Sequence, residues 1–269
     1  MPIGRAQLVV FDLAYFICSC GGFWLQQRAM KRGQMSFVVE DPRPLQFRDF
    51  EEQSYARGFQ FIAGIDEAGR GPLAGPVVAA AVILPRGFTH SEIKDSKLLS
   101  AQQREKLAPL IRQESVCWGL GVVEVDEIDR INILQASLLA MVKALAGLIS
   151  TPDCALIDGN QPIPRSLFRR GEFSGGKSLY QKTIVKGDQL CLSIAAASII
   201  AKVSRDAMMV EFDRQYPEYG FASHKGYSCA THFEALRRHG PSPIHRQSFR
   251  PVREALMLAK QNNGPLFEP

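Results

Sequence analysis

The sequence has few of the residues from which zinc sites and membrane spans are built. Its 269 residues include six cysteines and five histidines, and no cysteine forms a CxxC pair or lies at a zinc-ligand spacing from a histidine. The apolar run "LVVFDLAYFICSC" is interrupted by Asp12 and followed by glycines before it reaches the roughly 20 residues of a membrane span. The sequence therefore predicts neither a zinc site nor a membrane protein.

The cysteines and the net charge of the sequence give weak predictions about the cellular compartment of the protein and about its binding partners. Several of the scattered cysteines lie within apolar runs, which favours reduced thiols in a cytoplasmic protein. A secretory signal is not predicted, because Asp12 lies where the apolar segment of such a signal should be. The formal net charge of +5 is compatible with a polyanionic partner such as a nucleic acid but does not require one.

Regular hydrophobic patterns begin near Phe59 and predict alternating strands and helices. Two strands come first, and a proline- and glycine-containing turn joins them into a hairpin. A helix and a third strand follow. Ser100 is expected to cap one helix and Asp126 the next, in which apolar residues recur from Ile128 to Leu145. This order predicts an α/β sheet covered by helices. The predicted strands are "FQFIAGID", "PVVAAAVILP", "VCWGLGVVEV", "CALIDGN" and "KTIVKGD".

Three of the predicted strands end in acidic residues. Asp66 and Glu67 end the first strand, Asp158 ends "CALID", and Asp188 ends "KTIVKGD". Because ligand sites gather at strand ends in α/β sheets, these side chains are candidates for one site. Carboxylate oxygens suit Mg²⁺ and Mn²⁺, and two such ions about 4 Å apart can promote phosphodiester hydrolysis. Strand-end acids also serve as caps and turn formers, and spacing alone leaves both interpretations open.

Seven ordered motifs give the chain a resemblance to a known family. They run from about Asp49 to about Ala259, and the chain resembles bacterial ribonuclease HII. The resemblance implies an RNase H-like mixed sheet flanked by helices, with a C-terminal helical segment. The domain organisation expected is an N-terminal extension over residues 1–48, of which residues 1–34 are either optional or not part of the working protein, and a catalytic domain over residues 49–269. The motifs are "GIDEAGRGPLAGPVVAAAVIL", "DSKLLS", "LIDGN", "KGD", "ASIIAKVSRD", "YGFASHKGY" and "HRQSF".

The resemblance also implies an activity and its cofactor. Members of the family hydrolyse the RNA strand of RNA/DNA hybrids and cut on the 5′ side of single ribonucleotides in duplex DNA, leaving 3′-hydroxyl and 5′-phosphate ends. A two-metal-ion mechanism with Mg²⁺ or Mn²⁺ is implied. A non-catalytic hybrid-binding protein and another RNase H-like nuclease are the alternatives. We expect a cytoplasmic monomer that binds nucleic acid and no membrane.

The family motifs assign expected roles residue by residue. The catalytic and metal-binding residues are Asp66, Glu67, Asp158 and Asp188. The substrate-binding residues are Gly69, Arg70, Gly71, Lys97, Lys186, Tyr227 and Arg246, among which the Gly-Arg-Gly element reads the ribose and Tyr227 senses the RNA–DNA junction. Related ribonuclease HIII usually has Gly-Lys-Gly, so Arg70 favours HII.

Two positions depart from the family pattern, and the histidines carry no expected catalytic role. Leu98 replaces a second lysine of "DSK", which puts a phosphate contact there in doubt, and Ala195 replaces a common serine. His224, His232, His239 and His245 are expected at the surface or in contact with phosphate.

Overall fold

The structure is a computed structural model, and it describes residues 47–94, 96–168 and 179–262, with side chains described up to residue 258. Of the predicted N-terminal extension, only residues 47 and 48 lie within these ranges. One five-stranded mixed sheet occupies the centre of the described part, and its strand order is β3-β2-β1-β4-β5. The strands are β1 (Ile62–Ala68), β2 (Val77–Ile83), β3 (Cys117–Val123), β4 (Cys154–Asp158) and β5 (Tyr180–Ile184).

The five strands lie within the five predicted segments. β1 and β2 form the predicted antiparallel hairpin, and β3 continues the antiparallel part on the far side of β2. β4 lies parallel to β1, and β5 lies parallel to β4. The mixed sheet of the predicted fold class is therefore confirmed.

Nine α-helices occur in the described ranges, and two of them cover the faces of the sheet. Helix α6 packs on β1 and β2 from one side, and α4 packs on β3 and β2 from the other. The last three helices form the C-terminal segment. The helices are α1 (Asp49–Ala56), α2 (Ala101–Glu114), α3 (Val125–Ile131), α4 (Ile133–Ala146), α5 (Gly187–Leu190), α6 (Leu192–Gln215), α7 (Phe221–His224), α8 (Ala230–His239) and α9 (Arg250–Asn262).

Alternating residues of the strands fill two apolar layers, as the period of a β-strand requires. Ala79 and Ala81 of β2 belong to the layer under α4, whereas Ala80 and Val82 belong to the layer under α6 and α2. The same alternation directs Ile65 of β1 into the α4 layer. Its neighbour Asp66 therefore lies on the α6 side, two residues before the end of the strand.

Ser100 caps α2 as predicted. Its hydroxyl accepts a hydrogen bond from the backbone N–H of Gln103 at 3.2 Å, and the Gln103 side chain accepts one from the Ser100 N–H at 2.8 Å. This reciprocal pair is a capping box. It fixes the start of the helix that follows the "DSKLLS" segment.

Three predictions about elements are wrong. Asp188 does not end a strand, because β5 stops at Ile184 and Asp188 lies on α5. Asp126 does not cap a helix, since α3 begins at Val125 after Glu124. The helix predicted from Ile128 to Leu145 is two helices, separated by Asn132 in the left-handed region at φ 70°.

Among the described residues, no helix combines the length and the apolar character needed to cross a membrane.

Candidate active site

A cleft opens at the carboxyl ends of β1 and β4. The two strands are parallel, with Ile65 of β1 opposite Ile157 of β4, so the next residues, Asp66 and Asp158, lie side by side near the carboxyl ends of their strands. Asp66, Glu67 and Asp158 line a cavity of about 280 Å³. The sheet register thus brings together three of the four predicted catalytic carboxylates.

Asp66 is buried among like charges. It is 6% exposed, and its Oδ1 accepts a hydrogen bond from the backbone N–H of Glu67 at 2.7 Å. Burial raises the pKa of Asp66 well above its ordinary value, and the nearby charges of Glu67 and Asp158 raise it further. A hydrogen bond from Ser198 lowers the pKa but does not offset these effects. The ionised cluster therefore needs positive charge nearby.

Glu67 has one oxygen engaged and one without a partner. Arg70 donates to its Oε1 at 3.0 Å, whereas its Oε2 is buried and receives no hydrogen bond among the described residues. Burial raises the pKa of Glu67, and the Arg70 guanidinium opposes this. A buried, unpartnered carboxylate oxygen on a residue that lines a polar cleft is one that a cation can satisfy.

Asp188 is next to this cluster but pairs with a lysine. It is 2% exposed, and its Oδ2 accepts a hydrogen bond from Lys97 Nζ at 3.0 Å. Helix α5 also contributes the backbone N–H of Gly187, which donates to Asp158 Oδ1 at 2.7 Å. Asp188 and Asp158 are thus held by the same turn, while Lys97 lines the cleft itself.

The donor set fits hard divalent cations, which bind carboxylate oxygens. In the described part of the chain, no three Asp, Glu, His or Cys side chains are arranged as they stand to hold a metal ion. Two observations nevertheless favour a cation here: the unpartnered Glu67 Oε2, and the raised pKa of Asp66, to which burial and two neighbouring carboxylates contribute.

The Gly-Arg-Gly loop forms one wall of the cleft. Gly69 has φ 97°, and a Cβ there would lie 2.1 Å from the Nε of Arg205. Gly71, by contrast, has open space within 4 Å of the position of a Cβ. Arg70 is half exposed between them. Gly69 is therefore required by the fold, whereas the missing side chain of Gly71 leaves the cleft open.

Two fully buried arginines lie beneath this loop. Arg205 donates to the carbonyls of Ala74, Pro76 and Lys225, at 3.0 Å each. Arg246 donates to the carbonyls of Gly69 at 2.6 Å, Pro72 at 2.8 Å and Gly75 at 2.8 Å. Among the described residues, neither forms an ion pair with a carboxylate, and the hydrogen bonds of both guanidinium groups go to main-chain carbonyls.

The prediction that Arg246 binds the substrate does not agree with its position. Its side chain is 0% exposed, so it does not reach a phosphate in the cleft. Its guanidinium also donates to the carbonyl of Arg70 at 3.1 Å. Arg246 instead shapes the loop that carries the predicted ribose-reading residues.

Tyr227 lies in the same cleft as the carboxylates, although more than 150 residues separate it from Asp66 in the sequence. Its ring is 43% exposed. Lys202 Nζ lies 5.5 Å and the Arg205 guanidinium carbon 5.9 Å from the ring centroid. The ring is therefore available to a ligand in the cleft and is backed by two cations.

Three polar cleft residues were not predicted. Ser96, Ser198 and Lys202 line the cavity, and the hydroxyls of Ser96 and Ser198 are 2.7 Å apart. Ser198 and Lys202 are four residues apart on α6 and so lie on one face of that helix. This spacing within "ASIIAKVSRD" was a usable signal.

Lys186, a predicted substrate-binding residue, is not among the residues that line the cavity, and two of the histidines expected at the surface are buried. Lys186 is exposed, precedes α5, and has φ 58°. Leu98 is 69% exposed, so it does not stabilise the fold through burial. The expectation that the histidines lie at the surface or on phosphate is wrong for His232 and His245, which are 0% and 1% exposed.

Comparisons with known proteins give consistent matches to one family. The family model for ribonuclease HII matches residues 63–252. The chain is 50% identical to ribonuclease HII of Syntrophotalea carbinolica over 220 residues, 82% of this chain and 98% of that protein. It is 52% identical to ribonuclease HII of Geobacter sulfurreducens over 222 residues, 82% and 96% of the two chains.

A solved structure supports the same fold. The crystal structure of ribonuclease H2 from Pyrococcus horikoshii matches with a TM-score of 0.60 and 28% identity, covering 76% of this chain and 100% of that one. Sequence and fold thus point to one group of enzymes. The chain belongs to the ribonuclease HII family, and it is an endoribonuclease acting on the RNA strand of RNA/DNA hybrids.

Proposed function

We propose that the chain also cuts duplex DNA on the 5′ side of a single embedded ribonucleotide, leaving a 3′-hydroxyl on the DNA and a 5′-phosphate on the ribonucleotide. The observation that carries the proposal is the composition of the cleft. Carboxylates, the Gly-Arg-Gly loop and Tyr227 line one cavity. Groups suited to cleavage, to ribose recognition and to sensing the neighbouring nucleotide are therefore adjacent.

Asp66, Glu67, Asp158 and Asp188 would hold two divalent cations, Mg²⁺ or Mn²⁺. When bound, such ions supply water activation and neutralise charge at the leaving oxygen of a phosphodiester. The residues of the chain hold this site in place: the Gly187 N–H orients Asp158 and the Glu67 N–H orients Asp66. Arg70 and Lys97 add positive charge at the rim, where phosphates of a nucleic acid would lie.

The loop geometry supports recognition of a 2′-hydroxyl. Arg246 draws the carbonyls of Gly69 and Arg70 inward. In a planar trans peptide the N–H points opposite to the C=O, so the N–H groups of Arg70 and Gly71, on the loop that lines the cleft, are directed away from Arg246. Polar main-chain groups within reach of a ribose, with no Cβ at Gly71, suit the one group that distinguishes RNA from DNA.

Tyr227 would recognise the nucleotide next to the ribonucleotide. Its half-exposed ring can stack on a deoxyribose, which a 2′-hydroxyl at that position would crowd. Such a contact would favour an isolated ribonucleotide, whose neighbour is a deoxynucleotide, over a site within a continuous RNA strand. Tyr227→Ala should therefore impair cleavage at a single ribonucleotide more than cleavage of a hybrid.

The test compares three duplexes with Mg²⁺, with Mn²⁺ and with EDTA: one with a single ribonucleotide, an RNA/DNA hybrid, and one of DNA only. We expect cleavage of the first two in either metal, none in EDTA, and no cleavage of DNA. Asp66→Asn should abolish cleavage, whereas the matched control Asp126→Asn, an exposed acid outside the cleft, should not. End-labelling of the products checks the polarity of the cut.

Two outcomes would overturn the proposal. Equal cleavage of the all-DNA duplex would indicate another RNase H-like nuclease. Tight binding of the single-ribonucleotide duplex without turnover, unchanged by Asp66→Asn, would indicate a binding protein for that substrate.

We further propose that the chain acts as a monomer in the cytoplasm. The residues that line the cleft come from one chain, so a second copy is not needed to complete it. Cys117, Cys154, Cys191 and Cys229 are free thiols, which is compatible with a reducing compartment. Sedimentation at working concentration, with and without a duplex, tests the oligomeric state.

A further inference from the structure

A buried histidine pair lies beneath the turn that carries Tyr227. His232 of α8 and His245 are 0% and 1% exposed, and their Nε2 atoms are 2.9 Å apart. Phe221 packs against both rings, with centroid distances of 5.6 and 5.5 Å. The catalytic cleft uses neither imidazole directly, so their burial needs another explanation.

The hydrogen bonds fix which nitrogen of each ring carries the proton. The backbone N–H of Ser242 can only donate, and it points at His245 Nδ1 at 2.9 Å. The Ser242 hydroxyl lies 2.7 Å from the same nitrogen and then also acts as a donor to it. His245 is therefore protonated on Nε2 and donates to His232 Nε2. His232 is in turn protonated on Nδ1, which donates to the carbonyl of Tyr227 at 2.9 Å. The result is a directional chain from Ser242 through both histidines to Tyr227.

This series of hydrogen bonds forms only when both imidazole rings are neutral. An imidazolium at His245 would direct an N–H at the Ser242 N–H, and one at His232 would direct an N–H at His245. Burial lowers the pKa of His245 to about 3, with His232 adding to the effect, and burial lowers the pKa of His232 as well. Both rings are thus held in the required state at neutral pH.

Tyr227 is held at both of its backbone polar groups. Its N–H donates to the carbonyl of His224 at 2.9 Å, while its carbonyl accepts from His232. The preceding residue, Gly226, accepts a hydrogen bond from the N–H of Leu73 at 2.8 Å, which ties this turn to the loop after Gly71. The Tyr227 carbonyl also accepts from the Cys229 N–H at 3.0 Å. The histidine pair is therefore one of the contacts that set the backbone position of Tyr227, and with it the placement of its ring in the cleft, and within the described part of the chain it is the one made by a side chain.

We propose that His232 and His245 are positioning residues for substrate selection, and that their one-way hydrogen-bond relay sets Tyr227 against the nucleotide beside the scissile ribonucleotide. The inference rests on the proposed function, because it gives the relay a purpose only if Tyr227 contacts that nucleotide. It goes beyond that function by assigning substrate preference to residues that do not touch the substrate.

The first test is spectroscopic and independent of activity. In the full-length chain labelled with ¹⁵N-histidine, two-bond ¹H–¹⁵N correlations at pH 7 should show His232 as the Nδ1–H tautomer and His245 as the Nε2–H tautomer. His239→Leu, an exposed histidine on the same helix, should leave both patterns unchanged. The same tautomer at both positions, or an imidazolium at either, would exclude the relay.

The second test separates positioning from general stability. His232→Leu should lower kcat/KM on the single-ribonucleotide duplex by about tenfold, while kcat/KM on the RNA/DNA hybrid changes by less than about threefold. His232→Asn keeps an amide N–H near the position of Nδ1 and should recover most of the loss. His239→Leu serves again as the matched control. An equal loss on both substrates would reduce His232 to a structural residue and overturn the proposal.

A double-mutant cycle distinguishes failure of this inference from failure of the proposed function. The quantity compared is the ratio of kcat/KM on the single-ribonucleotide duplex to kcat/KM on the RNA/DNA hybrid. If Tyr227→Ala already lowers this ratio, adding His232→Leu should lower it no further, because both changes act through one contact. If Tyr227→Ala alters the ratio of the two activities but His232→Leu does not, the proposed function stands and the relay proposal fails. If the unmodified enzyme does not cut the single-ribonucleotide duplex, the proposed function fails first.

Discussion

Asp66 is a cleft residue whose position suits cation binding but lowers the stability of the metal-free folded protein. It is buried next to two other carboxylates, and burial is the largest cause of its raised pKa. In the unfolded chain the same carboxyl ionises near 3.8 and is fully solvated. At neutral pH without metal, the ionised form is therefore less favourable in the folded protein than in the unfolded chain.

Asp66→Asn should stabilise the metal-free protein while abolishing cleavage. The amide keeps an oxygen for the Glu67 N–H and removes one of the clustered charges, so we expect a gain of about 1 kcal/mol in the free energy of unfolding in EDTA at pH 7.5. Because the folded-state pKa lies above the unfolded one, the penalty of ionised Asp66 is complete above the folded pKa and disappears as the pH falls toward 3.8. The gain should accordingly shrink near pH 4.

Urea denaturation at the two pH values, with exposed Asp126→Asn as the control, provides the measurement. A variant less stable than the unmodified protein at pH 7.5 in EDTA would contradict the account of Asp66 as a strained buried charge.

The two glycines of the Gly-Arg-Gly element should respond differently to the same substitution. Gly69→Ala combines an unfavourable positive φ with a Cβ 2.1 Å from Arg205 Nε, so we expect a loss of about 3 kcal/mol in stability. Gly71→Ala meets no atom within 4 Å and should change stability by less than about 0.5 kcal/mol. Its methyl group projects into the space of the substrate, so cleavage should fall by about tenfold or more.

Thermal denaturation and kcat/KM, measured on both variants, check this pair. A stable Gly69→Ala protein, or a fully active Gly71→Ala protein, would show that the structure assigns the two glycines wrongly.

Sequence reasoning succeeded for residues whose role follows from local pattern and failed where distant segments converge. Asp66 and Asp158 were predictable because each follows a buried apolar strand. Arg246, in the polar segment "HRQSF", is typical of a surface arginine, and nothing local indicates that carbonyls from Gly69 to Gly75 will surround it. The burial of His232 and His245 has the same origin, since their partners come together only in the tertiary fold.

At the scale of secondary structure, the break between α3 and α4 shows how one residue overrides a periodic pattern. The apolar spacing from Ile128 to Leu145 predicts one continuous helix. Asn132 interrupts it at φ 70°, and its side chain accepts hydrogen bonds from the N–H groups of Leu134 at 3.0 Å and Gln135 at 3.1 Å. Asparagine is one of the few residues that tolerate this conformation, so the pattern alone could not locate the break.

Substitutions at Asn132 should separate the cap from the backbone conformation. Asn132→Gly keeps the positive φ and loses only the cap, so we expect a loss of about 0.5 kcal/mol. Asn132→Ala loses the cap and strains the backbone, for a loss of about 2 kcal/mol. Urea denaturation of both variants gives the comparison. If Asn132→Ala were as stable as Asn132→Gly, the left-handed conformation at this position would carry no penalty.

Helix α6 illustrates a pattern that sequence reasoning could have used more fully. Ser198, Lys202 and Arg205 follow at steps of four and three residues and so share a face. The first two line the cleft and the third supports its loop from below. One long helix thus carries residues that act on three parts of the site: the carboxylates, Tyr227 and the Gly-Arg-Gly loop.

At the scale of the whole molecule, the cleft lies between the sheet and the C-terminal helical segment, and hydrogen bonds join the two. Arg246 and Gly226 belong to the C-terminal segment and bond to the loop that follows β1. The sheet supplies the carboxylates and the C-terminal segment supplies Tyr227. The family motifs predicted both parts, but the buried contacts that hold them in one site were visible only in the structure.

The N-terminal end of the described chain is also tied to the core. The N-terminus of α6 has no side-chain cap of its own. Helix α1 and Phe47, two residues before its start, provide two acceptors instead: the carbonyl of Phe47 accepts from the Leu192 N–H at 3.0 Å, and Glu51 Oε1 accepts from the Ser193 N–H at 2.8 Å. Both donating N–H groups lie in the buried first turn of α6, so α1 belongs to the folded unit.

Two deletions should therefore behave differently. A chain beginning at Met35 keeps α1, and we expect its melting temperature to stay within about 2 °C and its kcat/KM within about twofold of the full chain. A chain lacking residues 1–57 leaves the buried N–H groups of Leu192 and Ser193 without acceptors, at about 1–3 kcal/mol each, and should be strongly destabilised. If that deletion does not fold, Glu51→Leu in the full chain, compared with Glu51→Gln, which retains an acceptor, isolates the Ser193 contact. A large loss of stability on removing residues 1–34 alone would instead place that segment within the working fold.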